Sequence, residues 1–164
     1  MEDEKTNEVN FNKVTQWLEE YHFSLQNVQK ISDSKSDLKF YCEVRPYPSR
    51  FDFFKIIISD KFKDAILLQS NIQFDEMFTK SLDMTRWRER QQIFINYRKV
   101  IYPLGINLES NKQIGGIILH KTVFYASLNN KQYFFDSIYN MINAMQLVNA
   151  IFDEFRNSLF PEGE

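Results

Sequence analysis

The stretch from Asn129 to Phe160 constrains this chain more than any other. Phe134, Ile138, Met141, Met145, Val148, Phe152, Phe155 and Leu159 recur at alternating spacings of four and three. Residues so spaced lie along one side of an α-helix. Phe135, Ile142, Leu147 and Ile151 widen the apolar sector and leave a thin polar strip of Asp136, Asn140, Asn143 and Asp153. A helix this apolar needs a sheet, a second helix or another subunit over most of its circumference. Asn129 or Asn130 is placed to cap it, and Pro161 ends it.

The remainder supplies the cover. Phe11, Val14, Leu18 and Tyr21 define a short amphipathic helix with Trp17 beside them and Asn10 as its cap. A weak strand over Phe23–Ile31 precedes a polar turn. Leu38, Phe40, Cys42 and Val44 then alternate with Lys39, Tyr41, Glu43 and Arg45, the pattern of a half-buried strand with one wet face. Phe51–Ile58 is apolar on both sides, and Ala65–Phe74 runs back after a turn. Strands joined by short polar turns form an antiparallel meander. A second helical region covers Asp75–Tyr102, with a break expected near Asp83–Thr85. Strands follow at Leu104–Glu109 and Ile114–Tyr125, where Gly115-Gly116 suggests a bulge or a close backbone approach.

The expected fold is therefore α+β: an antiparallel sheet of five to six strands with helices mainly on one face, in the order α, three or four strands, α, two strands, α. One domain over residues 10–160 is expected, with residues 1–9 a disordered acidic terminus and 161–164 a tail. A chain of 164 residues buries enough surface to fold without staples.

Composition narrows function by exclusion. A net charge of −2 gives no long-range attraction for nucleic acid or anionic lipid. No apolar run approaches the ~18 residues of a membrane span, and the acidic start is unlike a signal peptide, so a cytoplasmic location is expected. With one cysteine and two histidines, neither a disulfide nor a clustered zinc site is expected. Cys42 falls on the inward side of its strand, where a thiol is an inert small hydrophobe. His22 at a helix end and His120 on a strand have ordinary structural readings. No phosphate-binding glycine loop or nucleophile motif occurs, so the expectation is a protein with no enzymatic activity, no catalytic residues, no cofactor and no metal.

Two features invite a functional reading. Arg86, Arg88 and Arg90 flank Trp87, and with Lys99 they make a candidate basic patch for nucleic acid. The ordinary reading is a solvated helix face with Trp87 in the core. The second is surplus apolar surface: Phe51, Phe53 and Ile57 share one side of their strand, and Met141, Met145 and Val148 lie on the regular helical row. Either the chain covers these itself, or they form a homodimer interface or a groove for a partner peptide.

The helix bearing Trp17-Leu18, the meander, the long middle helix, the hairpin and the terminal helix together resemble an uncharacterised, mainly archaeal family with a fold like that of the type III secretion chaperones. The resemblance lies in element order and hydrophobic spacing over about Phe11–Leu159. It implies a small, often dimeric protein that binds an extended segment of another protein. The expected function is non-enzymatic protein or peptide binding as a homodimer. The alternative is a nucleic-acid-binding accessory role for the basic patch.

Overall fold

Among the described residues, three α-helices and six strands with defined bounds follow from these patterns. The computed structural model describes residues 2–33, 36–46, 53–62, 64–74, 76, 79–80, 87–111 and 116–159. The elements are α1 (Glu2–Glu20), β1 (Ser24–Lys30), β2 (Leu38–Arg45), β3 (Phe54–Ser59), β4 (Ala65–Gln73), α2 (Trp87–Ile101), β5 (Asn107–Asn111), β6 (Gly116–Phe124) and α3 (Lys131–Leu159). The strand order is β1-β2-β3-β4-β6-β5, and the first four strands form the antiparallel meander. The chain is α+β, with an antiparallel sheet as its framework.

Two compact units divide it: Met1–Ser70 with His120–Tyr139, and Asn71–Leu119 with Asn140–Glu164. In the first, one side of the meander is core. Phe40, Cys42 and Val44 of β2, Phe54, Ile56 and Ile58 of β3, and Ile66 and Leu68 of β4 are all buried. The period-two alternation puts them on a single face, and α1 lies on it through Phe11, Val14 and Leu18. The Phe11 and Phe40 rings meet at 5.1 Å, and Trp17 meets Phe134 at the start of α3 at 5.7 Å. Helices thus cover one face of this part of the sheet.

The N-terminus differs from expectation. The acidic stretch read as disordered is the first half of α1, where Lys30 on β1 bonds Glu8 at 2.7 Å and lies near Glu4. Asn10, expected as a cap, sits mid-helix with its amide donating to the Thr6 carbonyl at 3.0 Å. The C-terminus of α1 closes in a Schellman motif: Phe23 N–H donates to Leu18 O and His22 N–H to Glu19 O, both at 3.0 Å. His22 therefore holds the left-handed position, φ 60°, where glycine is the usual choice. Its role there is backbone geometry. Asn130 caps α3 as expected, accepting from Tyr133 N–H at 3.3 Å.

In the second unit, Ile93, Tyr97 and Ile101 form the buried row of α2. Phe74 stacks on Phe152 at 5.3 Å with ring planes 7° apart. Gly116 is the close approach anticipated in the sequence: a Cβ there would lie 2.1 Å from the Ile72 carbonyl oxygen. The break expected near Asp83–Thr85 and the tail at 161–164 lie outside the described residues.

Candidate interaction surface

The alternation that fills the core sends the intervening side chains to the other face of the meander. On β2 these are Tyr41, Glu43 and Arg45; around β3 they are Phe53, Lys55 and Ile57; on β4 they are Leu67 and Gln69. Leu67 is buried, whereas Tyr41, Phe53, Ile57, Lys55 and Arg45 are half-buried. All belong to the first unit. The registers Glu43↔Lys55, Tyr41↔Ile57, Lys55↔Gln69 and Ile57↔Leu67 place them side by side.

Polar contacts order this face. Tyr41 donates its hydroxyl to Glu43 Oε1 at 2.7 Å. Asn27, in a left-handed conformation at the bulge of β1, donates its amide to Glu43 Oε2 at 3.0 Å. Burial, and then the Glu43 hydrogen bond, raises the Tyr41 phenol above its ordinary pKa, so it stays protonated and donating. Lys55 stands opposite Glu43 across the strands, where an ion pair is the usual outcome. Both Glu43 oxygens are engaged elsewhere, and Lys55 Nζ instead lies 5.6 Å from the Tyr41 ring centre and 6.0 Å from that of Phe53. The Arg45 guanidinium lies 5.7 Å from the same Phe53 ring. One aromatic ring is thus flanked by two cations.

The other candidates fare differently. Met141, Met145 and Val148 are 0%, 3% and 0% exposed, so these side chains are core rather than surface. Their spacing marks a buried helix side, a pattern that intrachain packing and a subunit interface share. Phe51 lies outside the described residues, as do Arg86 and the side chain of Arg90. Arg88 and Lys99 are both exposed on α2. They are eleven positions apart in the chain, so they share a helix side about 16 Å apart. The described residues therefore bring two of the four basic side chains to one surface, without clustering them.

Cys42 is fully buried, and burial pushes its thiol up to about 12. It is a packed hydrophobe at neutral pH. Among the described residues no group of three or more His, Cys, Asp or Glu is placed to hold a metal ion, and no helix is long and apolar enough to cross a membrane. Tyr41, Glu43, Asn27, Arg45 and Lys55 were not singled out by motif. Their one signal in the sequence is the wet half of the β2 alternation.

A small α+β protein with an antiparallel sheet, helix-covered on one side of its first unit, is the class these observations define. The chain belongs to the family described as uncharacterized conserved protein (DUF2299), whose model matches residues 11–152. Its fold is shared with an uncharacterized protein from Methanothermobacter thermautotrophicus, at a TM-score of 0.70 and 18% identity, over 87% of this chain and 96% of that one. No curated protein matches the chain.

Proposed function

We propose that this protein acts by binding another protein, through the face of the meander opposite α1. The observation that carries this reading is the composition of that face: Tyr41, Phe53 and Ile57 stay half-buried beside Arg45 and Lys55. Aromatic side chains with arginine are the groups enriched at protein interfaces. The reading is non-enzymatic and places the protein in the cytoplasm. It differs from main-chain addition at a sheet edge, because the exposed edge strand β1 carries a bulge between Gln26 and Gln29 that interrupts a regular ladder.

Photo-crosslinking tests the reading. A crosslinking residue in place of Ile57 should yield discrete adducts in cells, while one in place of exposed Glu19 on α1 should not. An adduct of twice the chain's mass would identify a second copy as the occupant and support the homodimer reading. Equal, diffuse labelling from both positions would overturn the proposal.

A further inference from the structure

We infer that residues 2–10 of α1 are a salt-sensitive strap, latched by Lys30 and Tyr125, that opens as one piece while the helix from Phe11 onward stays packed.

The two halves of α1 are held by different forces. In the second half, Phe11, Val14 and Leu18 are buried. Before Phe11 no described side chain is buried: Asn7, Glu8 and Asn10 are half-buried, and Glu4, Lys5, Thr6 and Val9 are exposed. Glu2 and Asp3 are acidic, and Val9, the one apolar residue of this half, is 57% exposed. Hydrophobic burial therefore contributes little here, and so short a stretch gains little from helix propensity alone.

Polar contacts do the holding. Lys30 on β1 bonds Glu8 at 2.7 Å and lies 3.7 Å from Glu4. Glu4 and Glu8 stand one turn apart on the same helix side, where like charges repel. The Lys30 ammonium offsets that repulsion and ties both carboxylates to the sheet, so docking and helix formation are coupled. The Glu8 hydrogen bond raises Lys30 above its ordinary pKa, which keeps the latch charged. From beyond β6, the Tyr125 hydroxyl donates to Asn7 Oδ1 at 2.6 Å.

The hinge falls at Asn10. Its amide donates to the Thr6 carbonyl at 3.0 Å, and a side chain bonded one turn back competes with the helix ladder. Phe11, the next residue, is fixed against the Phe40 ring at 5.1 Å. The weakened turn thus meets the first anchored side chain directly.

Ionic strength controls such a latch. The side chains of Lys30, Glu8 and Glu4 are 44%, 45% and 60% exposed, so dissolved ions reach and screen them. Raised salt shifts the strap towards its open state and leaves the buried half of α1 in place.

Residue-resolved amide hydrogen exchange on the full chain, at about 0.1 M and about 1 M salt, tests the inference. Amides of residues 6–10 should exchange together and at least about tenfold faster than those of Val14 and Leu18. Relative to these two, high salt should speed residues 6–10 by roughly two- to fivefold. Lys30→Gln should produce the same acceleration at low salt and abolish the salt response, and Tyr125→Phe should accelerate exchange while keeping that response. Lys61→Gln, which removes the Lys61–Asp37 pair, should change neither. Equal protection along the whole of α1 would overturn the strap, because the helix would then open as a single unit. Unchanged exchange of residues 6–10 in Lys30→Gln would overturn the latch.

Discussion

The two faces of the first four strands are written by the same residues in alternation, yet they do different work. Phe53 and Phe54 are adjacent. Phe54 is fully buried opposite Val44 on the side that α1 covers, whereas Phe53 stays half-buried beneath two cations. One face contributes folding free energy by excluding water. The other keeps apolar and charged groups together at the surface, the side on which the proposed reading places a partner that would remove the remaining water. Position on the pleat, more than residue type, decides which role a phenylalanine takes.

Substitutions in the covered face should have the largest effect. Ile56→Ala removes a fully buried side chain and should destabilise by about 2–5 kcal/mol in chemical denaturation. Ile57→Ala, one position along, should cost under about 1.5 kcal/mol, because part of that side chain is already hydrated in the free protein. A similar loss from both would erase the distinction between the faces.

Alkaline pH probes the covered face next. Burial raises the Cys42 thiol from 9.0 to about 12, so the folded state holds that proton after the unfolded chain has released it. Stability from this group is complete below pH 9 and falls as pH climbs towards 12. The slope approaches a tenfold change in the unfolding constant per pH unit. Cys42→Val should flatten this part of the pH–stability curve, and an unchanged curve would mean that the thiol is hydrated in the folded chain.

The smallest effects concern details outside both faces. His22→Gly should stabilise by several tenths to about 1 kcal/mol, because it relieves a side chain in the left-handed position of the Schellman motif. Tyr97→Phe should be neutral or stabilising by about 1 kcal/mol. Its hydroxyl is buried and has no hydrogen-bond partner among the described residues. A marked loss of stability on Tyr97→Phe would show that the hydroxyl is bonded in solution.

The order of elements, the antiparallel meander, the cap at Asn130 and the close approach at Gly116 were legible in the sequence, because each rests on local periodicity or a local steric demand. Three features were not. Helix formation over Glu2–Asn10 is supported by Lys30, which belongs to another element and leaves no local trace. Met141, Met145 and Val148 were left open between core and interface because a regular apolar row looks the same whether its cover comes from the chain or from another one. The cluster around Lys55 depends on the register Glu43↔Lys55 and on the left-handed turn at Asn27, neither of which spacing alone specifies.

One face of the meander supplies the core of the first unit, and on the proposed reading the other recognises a partner. Thermal unfolding of Phe53→Ala and in-cell photo-crosslinking from position 57 of the same variant test this division most directly. The account predicts a melting temperature lowered by no more than about 6 °C, together with loss of binding. A collapse in melting temperature of the size caused by Phe54→Ala, with the discrete crosslinked adducts still formed, would show that Phe53 is a core residue and would contradict the division.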